Sequence, residues 1–200
     1  MTAPIAIRPA TKADASEIAL LVNIATHGGI GLGWAYDARS NGTYDPIEVG
    51  RLDMLDERDE LNWRNATIAE SDGEVVGMLL GYPEPDDMGS FPGDLEDFLV
   101  PIVELERLSG GHWFISMLAV HAPWRGHGVG SLLLELAETK RAEAGSAGLA
   151  LITEDVNVRA RELYEREGFK VSASRPMRNY PNGPARGSDW LLMMKDQQHG

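Results

Sequence analysis

The chain has 200 residues and a mass of 21.8 kDa, a length that suits one domain, and 1–200 is expected to fold as one. Lys and Arg number 18 against 31 Asp and Glu, a net charge of −13, which argues against a nucleic-acid partner and against an anionic membrane surface. Cysteine is absent, which excludes disulfides, thiolate metal sites and cysteine nucleophiles and fits a reducing, cytoplasmic location. Met1 to Ala10 has no basic head before an apolar core, so no signal peptide is expected. No run of about 18 apolar residues predicts a membrane helix.

Ile5 and Ile7 alternate with Ala6 and Arg8 until Pro9, which predicts a short first strand. Thr11, or Asp14 with Glu17, can cap a helix carried by Ile18, Leu21, Val22 and Ala25. His27 to Gly33 holds four glycines and is expected to be a flexible turn. Leu52 to Leu61 predicts a second, acidic amphipathic helix. Ala66 to Ala69 and Val75 to Tyr82 predict two strands joined by a Ser-Asp-Gly hairpin turn. Pro83 to Gly93 is a proline-rich acidic loop. Leu95, Phe98, Leu99 and Ile102 then have helical spacing, with Pro101 either kinking that helix or starting another. Trp113 to Val120 is apolar and uncharged, a buried central strand. Ser131 to Ala144 predicts a helix, with Val129, Leu132, Leu133, Leu136 and Ala137 at offsets 0, 3, 4, 7 and 8. Leu149 to Thr153 is another buried strand, and Asn157 to Glu167 a helix capped by Asn157 and closed by Gly168. Strands at Phe169 to Ser174 and Trp190 to Met194 flank a loop rich in Pro, Gly and Asn. The pattern is mixed α/β.

The segment from Leu118 to Gly130 joins a strand to a helix and carries glycines at 126, 128 and 130. Glycines there leave backbone amides uncovered at a helix N-terminus, where the macrodipole favours an anion. Arg125 adds a fork of donors suited to phosphate. The loop therefore predicts a pyrophosphate cradle. It lacks the Lys-Ser/Thr ending of a Walker loop, and Ser131 stands where a dinucleotide fingerprint needs its third glycine. A ligand-free tight turn is the plain structural alternative. Asn157 and Tyr164 lie seven apart, so two helical turns put them on one face, with the small Ala160 between them. They could equally be a cap and a core ring.

Arg125-Gly126-His127-Gly128-Val129-Gly130 resembles the Arg/Gln-x-x-Gly-x-Gly/Ala signature of the GCN5-related N-acetyltransferases. Leu118-Ala119-Val120 and Pro123 before it, and Asn157, Ala160, Tyr164 and Gly168-Phe169 after it, resemble that family too, as does Ile7-Arg8-Pro9-Ala10-Thr11 followed by Asp14-Ala15. The likeness is strong over about 112–175; residues 28–64, 83–111 and 176–188 carry none of the signature. It implies a mostly antiparallel twisted sheet of about six to seven strands, flanked by helices and splayed at its centre. It implies that the amides of Arg125, Gly126, His127, Gly128, Val129 and Gly130, with Ser131, hold the pyrophosphate of acetyl-CoA. Backbone groups along Leu118, Ala119 and Val120 would bind the pantetheine arm and polarise the thioester. Asn157 would bind the cosubstrate, Ala160 would let it pass, and Tyr164 would protonate the departing thiolate. The resemblance implies no metal.

The implied chemistry is direct attack of a primary amine on the thioester, without a covalent enzyme intermediate. Deprotonating an alkyl amine of pKa about 10.4 at pH 7 costs about 4.6 kcal/mol, and an α-amine near 8 costs about 1.4 kcal/mol. Glu104, Glu106, His112 and Glu154 are the candidate bases, with Glu106 preferred because its helix leads straight into the strand at 113. Acidic stretches at Asp53–Glu60, Glu84–Asp87 and Asp94–Asp97 suggest a cationic acceptor, a small-molecule amine or a peptide amine, drawn by the field. A non-catalytic acyl-CoA-binding sensor and a protein-interaction domain are the competing functions. A monomer or homodimer is expected.

Overall fold

The computed structural model describes residues 4–179 and 186–197. The seven strands form a mostly antiparallel sheet of order β1-β2-β3-β4-β5-β7-β6, flanked by helices. The chain divides into two compact units, Met1–Gly81 with Ser116–Leu133, and Tyr82–Ile115 with Leu134–Gly200.

In the first unit β1 (Ala6–Pro9) pairs antiparallel with β2 (Ala66–Ser71), and β2 with β3 (Glu74–Pro83). The β2–β3 turn puts Asp72 at φ 51° and Gly73 at φ 80°, the left-handed pair that a two-residue hairpin needs. Between β1 and β2 lie α1 (Ala15–Ala25), α2 (Gly29–Asn41) and α3 (Pro46–Leu55). Helix α1 buries Ala15, Ile18, Ala19, Leu21 and Val22, the stripe that its spacing predicts.

The expected flexible turn at His27 to Gly33 is mostly helix, because α2 begins at Gly29. Gly28 turns the chain at φ 88°, and Thr26 Oγ1 accepts from the Ile30 amide at 3.3 Å. Packing then overrides the poor helix propensity of the glycines. Trp34 and Ala38, four apart, are buried, and a Cβ on Gly50 of α3 would sit 2.7 Å from the Trp34 ring. The indole Nε1 donates to Asp53 Oδ2 at 2.7 Å.

The second helix lies six residues earlier than Leu52 to Leu61. Asp45 caps it by accepting from the amides of Ile47 and Glu48, and Pro46 opens it. It stops at Leu55 because Asp56 and Asp59 take the amides two residues on, Arg58 at 3.1 Å and Leu61 at 2.8 Å. Such local bonds compete with a helix.

In the second unit β5 (Gly148–Glu154) pairs antiparallel with β7 (Asp189–Asp196), and β7 with β6 (Lys170–Pro176). The strand β4 (Trp113–Val120) is parallel to β5 over three pairs, from Trp113–Leu149 to Ile115–Leu151, where the ladder ends. Helix α4 (Val100–Glu106) takes Pro101 in its first turn, so that proline starts a helix, and Leu95 to Leu99 stay outside it. Helix α5 (Val129–Ala144) continues from the first unit, and α6 (Val158–Arg166) follows β5. Leu105, Phe114, Ala150 and Leu192 form a buried cluster with Tyr82, Ile152, Ala173, Trp190 and Met194 against it. Of the β6–β7 loop, residues 180–185 lie outside the described residues.

Candidate active site

The first unit assembles Leu118, Ala119, Val120 and the loop from Arg125 to Ser131. A glycine in mid-strand sets the approach: a Cβ on Gly77 of β3 would lie 2.8 Å from the Ala119 carbonyl and 3.3 Å from Val129 Cγ1. The His121 amide donates to the Val76 carbonyl at 3.0 Å, and its imidazole meets Glu17 Oε1 of α1 at 2.7 Å. The end of β4 is thus fixed on two sides before the loop begins.

Within the loop, Gly126 has φ 81° and Gly128 φ 83°, conformations that strain any residue with a Cβ. A Cβ on either would meet nothing within 4 Å, so backbone conformation rather than crowding demands glycine there. Arg125 to Gly128 are all exposed, while Val129 is buried and anchors the start of α5. Arg125 Nε donates to the Val120 carbonyl at 2.9 Å, which fixes the guanidinium and leaves its two terminal nitrogens for another acceptor. His127 Nδ1 donates to the Arg125 carbonyl at 3.1 Å and its ring meets Trp124 edge-on at 6.4 Å. The Leu132 amide already bonds Gly128 O at 3.0 Å, whereas those of Val129, Gly130 and Ser131 belong to the first turn, where helical amides lack intrahelical partners. This geometry can hold an anion with backbone donors plus one fixed arginine.

The second unit places Asn157, Ala160 and Tyr164 along one stripe of α6, half-buried, half-buried and buried, while Val158, Arg159, Glu162 and Glu165 are exposed. Asn157 occupies the cap position but does not cap with its side chain; Nδ2 reaches back to Thr153 Oγ1 of β5 at 3.5 Å. The Tyr164 ring packs on Phe169 at 5.8 Å between centroids. Burial pushes its hydroxyl up to about 12, so it stays neutral and a donor across the working range of pH.

The four candidate bases fare differently. Arg175 of β6 holds Glu104 at 2.7 Å. His112 turns Nδ1 to the carbonyls of Ser109 and Gly110, at 3.2 and 3.1 Å, and Nε2 to Asp196 at 3.5 Å. Glu154 is buried at the end of β5, 3.9 Å from Arg186. Glu106 is half-buried beside the Tyr82 hydroxyl at 3.4 Å, and burial raises its proton affinity. The acidic stretches are less bare than their composition suggests. Asp56 pairs with Arg58, Glu57 with both Lys12 and Arg64, and Asp97 with Arg178. Among the described residues no group of His, Cys, Asp and Glu could hold a metal, and no helix is long and apolar enough to cross a membrane.

Sequence reasoning missed Gly77, the His121–Glu17 pair and the Tyr82 contact. A glycine inside an otherwise apolar strand was a usable signal for the first. The others join residues 104 and 24 apart, beyond any local pattern.

An open, mostly antiparallel sheet with a glycine loop between a strand and a helix is the frame in which these residues lie. Residues 35–169, more than half of the chain, match the acetyltransferase (GNAT) family, and the chain belongs to that family. It is an acetyl-CoA-dependent N-acetyltransferase. No curated protein matches it. Among solved structures it is similar to one described as an acetyltransferase, at 21% identity and a TM-score of 0.65 over 96% of this chain and 98% of that one. It is similar to Ard1 from Thermoplasma volcanium, at 19% identity and a TM-score of 0.59 over 96% and 97%. It is also similar to Arabidopsis thaliana Naa50 in complex with the bisubstrate analogue CoA-Ac-MVNAL, at 16% identity and a TM-score of 0.58 over 96% and 99%. At such identities the likeness is one of fold.

Proposed function

We propose that this chain carries the acetyl group of acetyl-CoA to a primary amine by direct attack, with the pyrophosphate held on the loop from Arg125 to Ser131. The observation that carries this is the loop itself: left-handed glycines at 126 and 128, open faces, and a 16-residue helix directly behind. Anions are stabilised at such an N-terminus by the uncovered amides and the macrodipole. Backbone groups along Leu118, Ala119 and Val120 bind the pantetheine arm, and one amide polarises the thioester carbonyl. In the second unit, Asn157 and Ala160 are the residues to which the family resemblance gives cosubstrate contacts.

Tyr164 serves the departing sulfur. With the phenol at about 12 and a thiol near 8.5, full proton transfer to the thiolate is uphill by roughly 5 kcal/mol. The hydroxyl therefore stabilises the developing thiolate by donating a hydrogen bond, and the proton that ends on sulfur comes from the acylated nitrogen. Glu106 is the base that takes the first proton from the ammonium, and its raised proton affinity suits that task.

The acceptor is an amine, either a peptide α-amine or a small primary amine. The α-amine needs less help from the base, about 1.4 against about 4.6 kcal/mol at pH 7. The structure of Naa50 with CoA-Ac-MVNAL joins CoA to a peptide, which makes peptides the first acceptors to test. Thermal melts with acetyl-CoA and thiol release with a panel of peptides and small amines test the proposal. Acetyl-CoA should raise the Tm of the parent and leave that of Gly128→Val unchanged, because a β-branched residue cannot hold φ 83° cheaply. Equal shifts in both proteins reject the loop as the site. A shift without thiol release from any amine would make the chain an acyl-CoA sensor.

A further inference from the structure

We propose that Glu17 of α1 and His121 at the end of β4 form a positioning pair for acetyl-CoA: their hydrogen bond steadies the peptide from which the Arg125 guanidinium is held. This deepens the proposed function and rests on its reading of the loop from Arg125 to Ser131 as the pyrophosphate site.

The peptide unit between Val120 and His121 is one rigid plane. Its N–H, from His121, donates to the Val76 carbonyl of β3 at 3.0 Å, and its carbonyl, from Val120, accepts from Arg125 Nε at 2.9 Å. The plane thus ties the arginine of the loop to the sheet. A further hold is the His121 side chain, whose Nε2 lies 2.7 Å from Glu17 Oε1. A carboxylate only accepts, so Nε2 carries the hydrogen of that bond. The His121 carbonyl accepts from the Trp124 amide at 2.9 Å, and the Ala122 carbonyl from the Arg125 amide at 3.3 Å. The turn that leads to the arginine is therefore built directly on His121.

Glu17 is well placed to hold it. It stands one turn before Leu21 on α1, and Leu21 and Ile18 are fully buried, so the core fixes the helix that carries the carboxylate. The charges at the same end of α1 are engaged elsewhere: Asp14 accepts from Arg8, and Lys12 pairs with Glu57. Both partners of the pair are half-buried, which screens their bond less than that of a fully exposed pair. The guanidinium held in this way keeps its two terminal nitrogens for phosphate. An arginine already in place loses less side-chain freedom on meeting its ligand than a free one. The pair therefore acts on the affinity for acetyl-CoA and not on the chemical step.

The test is acetyl-CoA affinity by titration calorimetry, with kcat and KM from thiol release, on the full chain. Glu17→Ala should raise the Kd and the KM for acetyl-CoA about 3–10-fold and leave kcat unchanged. Glu17→Gln keeps an acceptor for the Nε2 hydrogen but loses the charge in the first turn of α1, so it should bind nearly as well as the parent. In an Arg125→Ala background Glu17→Ala should add little, because its effect runs through that guanidinium. Equal affinity for the parent and Glu17→Ala overturns the pair. So does an equal loss in Glu17→Gln, which would trace to the first-turn charge, or a fully additive loss in the double variant. The parent gives an independent reading by 15N NMR of labelled histidine at about pH 8, with His121→Asn assigning the signal. His121 should show the Nε2–H tautomer, and the Nδ1–H tautomer overturns the proposal. If the parent binds no acetyl-CoA, the loop assignment fails and takes this inference with it. If it binds and the variants match it, the pair alone fails.

Discussion

Tyr164 shows how one buried hydroxyl constrains a mechanism. Removing it as Tyr164→Phe keeps the ring on Phe169 and deletes a single donor. A preorganised donor to a developing anion is worth about 10²–10³ in rate, so kcat should fall by about that factor while the KM for acetyl-CoA holds. Because burial puts the group at about 12, it is protonated below that pH, and no alkaline fall in kcat below about pH 10 should trace to it. A fall near pH 9 that vanishes in Tyr164→Phe would contradict this, and equal kcat in the two proteins would leave Tyr164 as packing. The residue type and its seven-residue spacing from Asn157 were legible in the sequence. Its burial was not, since that depends on Phe169 and on what lies around α6, and burial is what pushes the hydroxyl up to about 12.

At the scale of elements, the strands and the helix behind the glycine loop were readable because each carries a strong period over many residues. Helix α2 was not, because its support is nonlocal: Trp34 lies flat on Gly50, a residue sixteen further along, and binds Asp53. The end of α3 was missed for the opposite reason, an effect too local for periodicity, in which Asp56 and Asp59 bend the chain through their own side chains. Gly77 links an element to the site. A methyl group there would press on a backbone carbonyl, which cannot rotate away as a side chain can. Gly77→Ala should therefore cost about 1–3 kcal/mol in denaturant unfolding. It should also weaken acetyl-CoA binding, because the displaced carbonyl belongs to β4 just before the loop. Unchanged stability would mean that β3 and β4 shift apart without loss.

For the whole molecule, net charge says little about how individual carboxylates behave. Asp14 accepts from both terminal nitrogens of Arg8 and from the Thr11 amide, with Arg8 the larger cause, and these hold it at about 2. A carboxylate depressed in the folded state stabilises the fold above its unfolded pKa near 4, and that contribution is lost as pH falls towards 2. Discounted for the partial exposure of Arg8, it amounts to about 1–2 kcal/mol. Asp14→Asn should be less stable than the parent at pH 7, and the gap should close between about pH 4 and pH 2 in melts read by circular dichroism. A gap that persists at pH 2 would assign the loss to packing.

The division of the chain has a consequence for its synthesis. Each unit is built from two separated stretches, and the strands β3 and β4 and the helix α5 each pass from one unit into the other. Residues up to Gly81 therefore emerge from the ribosome without the segment Ser116–Leu133 that completes their unit. At about 5–20 residues per second, the roughly fifty residues from there to Leu133 take about 3–10 s to appear. Through that interval β3 is a nascent edge strand with its next neighbour unmade, a state in which pairing with another chain competes. Gly77, in the middle of that strand, has low β propensity and no side chain to offer such a partner.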